Sequence, residues 1–448
     1  MKTIFITSFN PFIGRNILST EALGGLSGKE DLKVIIFCPS YKLNYFKENF
    51  ASDNVAVEGV ATATTSKHDM VFNYIGRSLI STKILAMHRW EIFLRNKNIF
   101  TFLFSYFLAV LGKLNQVKKV VRWLDFMTAN KSKSSFYFDK YKPDLVLATD
   151  IFHSADVCFL VEAKKRGVTS VGMVRSWDNI TNKGLFRVKP DKLIVHNNIV
   201  KEEAVKYEDV DFKNIFVSGL PQFDIYLEDI IIPRDIFFKR IGLNPNRKTI
   251  LVAPHGRRFH KTDWELLEIL KKRLDNNFQF IVRFPPNDTV ELNEFIPDER
   301  FFIERPGKEF GANRFNEREV QKTDAVTLAN DLFYSDVVVN YGSTISIDAV
   351  VFDKPVVIVS FDGWEKLTYI KSVRRFLDYD HIKKLIRTGF CRIAYKEEEL
   401  ISYIHNYINN PSCDREGRKK LLYEQAWKLD GKSGSRISDY LMNILVVN

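Results

Sequence analysis

The chain has 448 residues, too many for one ordinary core and enough for two domains of roughly 200 residues each. Its 45% hydrophobic and 27% charged residues exclude a disordered, collagen-like or low-complexity protein. The formal net charge of +11 suits an anionic partner, but no recognition motif or aromatic-basic interleaving points to nucleic acid, which is not expected to bind.

The N-terminal run Met1–Ser8 is apolar but too short for a signal h-region, and it reads as a first β-strand over Thr3–Ser8. A loop, Phe9–Gly14, leads to a helix from about Arg15, and Leu32–Cys38 reads as a second strand. After a basic segment the pattern resumes with strands Asp144–Thr149, Thr169–Val174, Lys192–His196 and Asn214–Val217, with helices near His153–Lys165 and Val200–Tyr207. A hinge is expected between Gly219 and Lys248, around Pro221, Pro233 and Asn244-Pro245-Asn246. A second series follows: strand Thr249–Ala253, helix Thr262–Leu274, strand Phe278–Arg283, strand Asp336–Asn340, helix Thr344–Phe352 and strand Pro355–Val359. Asp288–Glu319 reads as loop with short elements, and Asp414–Leu445 as helix broken at Asp430–Gly434. The strands are continuous apolar runs, as expected where helices cover both faces of a parallel sheet. Ligands of such sheets bind outside the carboxyl ends of the strands, so each strand-to-helix loop is a candidate for function.

The segment 77–142 carries thirteen Lys/Arg against three acids, +10 of the net charge. Inside it, Ile99–Leu111 runs thirteen residues without a charge. A spanning helix needs about 20 apolar residues, so this run is not expected to cross a bilayer. Two readings stand side by side: an interfacial helix whose basic rim meets anionic lipid, or a core helix beside a solvated basic neighbour. Cys38, Cys158, Cys391 and Cys413 show no CxxC or Cys/His spacing, so neither a disulfide framework nor a structural zinc is expected. The expected location is the cytoplasm, peripheral at the inner face of the plasma membrane if the interfacial reading holds.

The segment richest in signal is Val337–Val359. A buried strand runs into Gly342-Ser343-Thr344 at a helix start, where free N–H groups and hydroxyls can hold a phosphate; a plain N-cap by Ser343 explains the same residues. Strand, Gly-Ser-Thr, a helix carrying Asp348-Ala349, then Asp353-Lys354-Pro355-Val356-Val357 resembles the donor-binding half of GT-B glycosyltransferases. It most resembles the branch of surface-carbohydrate transferases and CDP-glycerol glycerophosphotransferases. Arg175-Ser176-Trp177-Asp178-Asn179, Pro190–Val195, Gly219–Asp224 and Leu251–Gly256 agree in order and spacing, so the resemblance covers about Asp144 to Tyr407. It implies an α/β, GT-B-like fold: two Rossmann-like domains facing across a cleft. Residues 1–235 would form the acceptor domain, with the insertion at about 77–142. Residues 236–448 would form the nucleotide-donor domain with a C-terminal helix. The paired glutamates of the commonest retaining enzymes are missing here, which favours inversion.

His255-Gly256-Arg257-Arg258 follows the first strand of the second series, where cations can neutralise a diphosphate leaving group without a bound metal. Arg283, in the next such loop, is a further cation. The donor and phosphate candidates are thus His255, Arg257, Arg258, Arg283, Gly342, Ser343, Thr344 and Asp348. In the first half Asp150, His153 and Asp178 each stand where a general base could take an acceptor hydroxyl's proton, and each is also a plausible cap or turn residue. Asn10, Gly14, Arg15 and Trp177 are the acceptor-side candidates. Asp378-Tyr379-Asp380 matches a DxD pattern formally but reads as a solvated helix start, so no metal site is expected.

The expected activity is transfer of a sugar from a nucleotide sugar to a lipid-linked or polysaccharide acceptor in bacterial cell-surface glycan synthesis, with no cofactor beyond the co-substrate. Three alternatives stay open: a CDP-glycerol-type polyol-phosphate transferase, a non-hydrolysing UDP-sugar 2-epimerase, and a non-catalytic scaffold that binds a glycan or nucleotide sugar.

Overall fold

The apolar runs become parallel strands because both faces of each are covered. Every residue of Leu145–Ala148, Phe278–Arg283, Val337–Asn340 and Val356–Val359 is buried, with no alternation. The computed structural model describes residues 1–61, 66–129, 134–256, 259–286, 295–311 and 318–447. It divides into two units, Met1–Asp224 with Trp427–Asn448, and Ile225–Ala426.

The first unit holds a seven-stranded sheet: β1 (Lys2–Thr7), β2 (Leu32–Pro39), β3 (Val55–Val60), β4 (Leu145–Ala148), β5 (Thr169–Met173), β6 (Lys192–Val195) and β7 (Ile215–Val217). All pairs are parallel, in the order β3-β2-β1-β4-β5-β6-β7. The second unit's strands are β8 (Lys248–Ala253), β9 (Phe278–Arg283), β10 (Phe301–Glu304), β11 (Lys308–Glu309), β12 (Arg318–Glu319), β13 (Val337–Asn340), β14 (Val356–Val359) and β15 (Cys391–Ala394). Six of them form a parallel sheet ordered β10-β9-β8-β13-β14-β15, and β11 pairs with β12 as a separate ribbon. Each main sheet is doubly wound, and its order reverses once: between β1 and β4 in the first unit, between β8 and β13 in the second. This is the expected pair of Rossmann-like domains.

Two features differ from the sequence reading. The reading divided the chain at 235/236 and kept the C-terminal helix with the second domain, whereas Ser433–Val447 packs in the first unit. There Tyr440 stacks on Phe216 at 4.1 Å, and Asp224 Oδ2 accepts from the Gly434 N–H at 2.8 Å. Helical periodicity shows which face of a segment is apolar but not which sheet it covers. The reading also missed β3, β10 and β15, which contain half-buried positions in place of continuous apolar runs.

Among the described residues between β3 and β4 lie five helices: Lys67–Leu79, Lys83–Asn96, Ile99–Leu111, Asn115–Thr128 and Ser135–Tyr141. Several of the cations that made this stretch look like a solvated basic rim are buried anchors. Arg122 donates to the Phe186 and Glu208 carbonyls (2.9 and 2.8 Å) and to the Glu208 carboxylate (3.0 Å). Arg89 donates to the carbonyls of Ser78 and Ile80, and Lys118 to that of Tyr207. Arg187, from the β5–β6 connection, holds Asp125 at 2.8 Å and Asp69 at 2.5 Å. These bonds tie the helices to one another, to the β5–β6 connection and to the helix Asn198–Glu208, because a buried charge must be paired. The alternative of a core helix fails: Ile99–Leu111 buries only Ser105, Leu108 and Ala109.

Candidate active site

In the first unit the loops after β1 and β4 flank the point where strand order reverses, and the loop after β5 lies beside them. Asn10 ends the first loop's turn by accepting the Phe12 N–H, and its amide donates to Asp150 Oδ2 at 3.0 Å. The same oxygen accepts from Arg175 Nε at 2.9 Å, and the other accepts the Phe152 N–H at 3.3 Å. Asp150 is therefore a brace tying three loops together, its charge neutralised by Arg175, and not an open base. Arg175 and Arg15 each place a guanidinium 5.6 Å from the Phe12 ring, and Gly14 opens a single π-helical turn.

His153 caps the helix Ser154–Arg166, with Nδ1 accepting the Ala155 N–H at 3.3 Å. Its ring lies parallel to Phe9, centroids 5.9 Å apart, and Nδ1 is 3.4 Å from Asp156 Oδ2. Burial by itself would lower the histidine's pKa, but Asp156 and Asp150 outweigh it and hold the pKa above its ordinary value. Asp156 is fully buried, and burial raises its pKa. Asp178 sits partly exposed with Trp177 in the β5 loop and accepts from Ser176 Oγ (2.5 Å), Asn179 (3.2 Å) and Asn182 (3.4 Å). Sequence reasoning missed His196 at the end of β6, where burial depresses its pKa to about 4.

In the second unit the loops after β8 and β13 flank the other reversal. The N–H groups of His255 and Gly256 both donate to Asp263 (2.9 and 2.8 Å), which folds the loop over the helix that starts at His260. The His255 ring stacks on Phe376 at 4.6 Å and 11°. Burial, helped by the charge of Arg375, lowers its pKa to about 4, so the imidazole is neutral at pH 7. Arg257 and Arg258 lie outside the described residues. After β13, Asn340 organises the turn: its side-chain oxygen accepts from the N–H groups of Gly342 (2.6 Å) and Ser343 (3.0 Å) and from Ser346 Oγ (3.1 Å). Gly342 takes φ +83°, a left-handed conformation that favours glycine. The helix Ile345–Val351 has Thr344 as N-cap and no capping side chain, so the plain Ser343 cap is not what the turn is built on. Ser343 and Thr344 stand exposed at this helix start.

Two other expectations change. Arg283 is buried at the end of β9, where its guanidinium pairs with Glu304 and with Asp331 (3.0 Å) and donates to the Asp324 carbonyl. Those carboxylates neutralise it, so it is a structural charge and not a phosphate ligand. Asp348 is buried within its helix and accepts from Tyr226 Oη at 2.7 Å. Asp378 accepts from Tyr369 and pairs with Lys383, while Asp380 opens the helix Asp380–Ile386.

Two doubly wound sheets with polar loops gathered at each reversal define a GT-B-like protein. Solved structures share that fold. UDP-GlcNAc 2-epimerase from Neisseria meningitidis, bound to UDP-GlcNAc, is 12% identical with a TM-score of 0.55, covering 99% of this chain and 100% of its own. A variant of the wall teichoic acid polymerase TagF is 11% identical with a TM-score of 0.53, covering 99% and 89%. The glycotransferase of kitacinnamycin is 13% identical with a TM-score of 0.51, covering 98% of each. No curated protein sequence matches the chain. The family model described as CDP-glycerol:poly(glycerophosphate) glycerophosphotransferase matches residues 179–443, and the chain belongs to that family of transferases.

Proposed function

We propose that this transferase moves a polyol phosphate of the glycerol phosphate type from a CDP-linked donor to a hydroxyl of a cell-surface polymer or its lipid-linked precursor. The observation that carries the reading is the family match over residues 179–443, which contains the β8 and β13 loops. In the reaction the acceptor oxygen attacks the phosphorus next to the polyol, the acceptor loses its proton, and CMP leaves. Exposed Ser343 and Thr344 at the start of a helix, over a turn shaped by Asn340, suit the donor's phosphates. No resident cofactor enters the scheme.

A second reading is sugar transfer from a nucleotide sugar, in which a nucleoside diphosphate leaves. One observation favours it: among the described residues at the ends of β8 and β9, His255 is neutral and Arg283 is held by Glu304 and Asp331, so neither of these two supplies free positive charge for attack at phosphorus. Thermal melts with CDP-glycerol and with UDP-, GDP-, CDP- and TDP-sugars, followed by assay of the released nucleotide, separate the two. A ligand at 100 times its Kd stabilises the native state by about 2.7 kcal/mol. Stabilisation by CDP-glycerol with release of CMP is expected, and Ser343→Ala should weaken it. Stabilisation by a nucleotide sugar alone, with a nucleoside diphosphate as product, makes the second reading the correct one. A flat panel overturns both and leaves the scaffold.

The same reading places the protein in the cytoplasm, docked on an anionic bilayer that carries its acceptor. Ile99–Leu111 exposes Phe100, Leu103, Phe104, Phe107 and Val110, and Asn115–Thr128 exposes Val120, Trp123, Leu124 and Met127. Exposed Arg95 and Lys97 at the end of the preceding helix, Lys113 in the turn between the two and Lys119 on the second complement anionic headgroups. No single described helix is long and apolar enough to cross a membrane. Phe102 is turned inward against Trp90, Phe93 and Tyr106, so the informative substitutions are elsewhere. Phe104→Ser with Phe107→Ser should lower binding to phosphatidylglycerol-containing vesicles at least tenfold with the fold intact. Unchanged binding rules the surface out.

A further inference from the structure

His153 and Asp156 form a pair that the helix cap alone does not explain. Asp156 is fully buried; its Oδ1 accepts from Thr7 Oγ1 and from the Asp150 N–H, yet its Oδ2 has no hydrogen bond. A buried carboxylate oxygen without a partner is costly. His153 Nδ1 lies 3.4 Å from that oxygen and, as a neutral acceptor, holds the Ala155 N–H instead. The ring therefore has two hydrogen-bonding arrangements. With Nδ1 bare it caps the helix. With Nδ1 protonated it donates to Asp156 and gives up the cap. Because Nδ1 faces these two groups, Nε2 is the nitrogen left for the exposed side of a ring whose side chain is 26% accessible. Phe9 covers one ring face, at the reversal between β1 and β4 where ligands of such sheets bind.

We propose that His153 is the base that takes the acceptor hydroxyl's proton on Nε2, and that Asp156 is its positioning residue, holding Nδ1–H and balancing the imidazolium that forms. The step rests on the transferase reading above. The acceptor O–H bond breaks as the new bond to the donor forms, the nucleotide leaves with the electron pair of the broken anhydride, and the proton later passes from Nε2 to solvent. The other charged groups facing the ring are Asp150 from the β4 loop and Arg175 from the β5 loop, which neutralise each other at 2.9 Å. Asp156, on the helix that follows β4, is the carboxylate nearest Nδ1.

The test is a nitrogen-15 NMR titration of the histidine side chains in the full chain, with His153 assigned by loss of its signal in His153→Gln. The wild-type ring should titrate above pH 6.5, and Asp156→Asn should bring it below that value. A wild-type ring that titrates below 6.5, or one unmoved by Asp156→Asn, overturns the pair. The wild-type measurement decides even if Asp156→Asn fails to fold. With CDP-glycerol turnover in hand, Asp156→Asn should lower kcat at least tenfold with KM within twofold and shift the acid limb of the pH profile. Adding it to His153→Gln should cause no further loss, whereas independent losses would make Asp156 a purely structural residue. Because the titration needs no substrate, a failure of the pair and a failure of the transferase reading are told apart.

Discussion

Asn340 shows how much one side chain decides. Its oxygen takes three hydrogen bonds and so sets the turn that presents Ser343 and Thr344. Asn340→Ala leaves the buried Ser346 hydroxyl, along with the Gly342 and Ser343 N–H groups, without that acceptor, and an unsatisfied buried donor costs about 1–3 kcal/mol. Chemical denaturation should show a loss of about 2 kcal/mol, together with weaker stabilisation by the donor. A variant as stable as the parent, with donor binding intact, would mean the turn is held by its glycine alone. The Gly-Ser-Thr sequence was legible as a phosphate-type turn, but Asn340 reads as the last residue of a strand, and a side-chain acceptor there leaves no periodic trace. Arg283 failed for a related reason. A cation at a strand end is visible in sequence, while Glu304 and Asp331, which capture it, lie 21 and 48 positions away. Asp150 was captured in the same way by Asn10 and Arg175.

The helices of the insertion show the same limit one level up. Thirteen uncharged residues made Ile99–Leu111 recognisable as a helix, but not which of its rings face inward; Phe102 does and Phe104 does not. The parallel strands were legible because continuous apolar runs have few other uses, and β3, β10 and β15 were missed where that signal weakens. What seats the insertion is partly Gly112, at the turn after Ile99–Leu111. A Cβ there would sit 1.8 Å from the Leu79 carbonyl oxygen, so the two segments approach as closely as their backbones allow. Gly112→Ala has to push them apart, and overpacking of this kind costs about 1–3 kcal/mol. A lowered unfolding midpoint is expected, with vesicle binding reduced because the exposed face is no longer held in place. An unchanged midpoint would show that the helices are free to separate at no cost.

Across the whole molecule, two buried histidines among the described residues are kept neutral, His196 at the end of β6 in the first unit and His255 in the loop after β8 in the second, both with pKa values of about 4. An unfolded chain protonates these groups near pH 6.5, so between pH 6.5 and 4 it binds more protons than the native state. The stability each contributes is complete above 6.5 and falls away as the pH drops towards 4. At 1.36 kcal/mol per pH unit the gap is on the order of 3 kcal/mol for each histidine. Three buried carboxylates work in the opposite direction. Asp156, Glu208 and Asp331 have raised pKa values, chiefly through burial, and take up protons in the native state as the solution is acidified. The net slope of the parent protein therefore mixes both signs, and the histidine part emerges only by difference. Urea unfolding of the parent, His196→Asn and His255→Asn between pH 7 and 4.5 supplies that difference, since the carboxylates are common to all three. Each variant should lose less stability on acidification than the parent does, even where its stability at pH 7 is lower. Parallel pH curves would mean the two rings accept protons in the folded state, and the neutral His255 assumed at the donor loop would have to be abandoned.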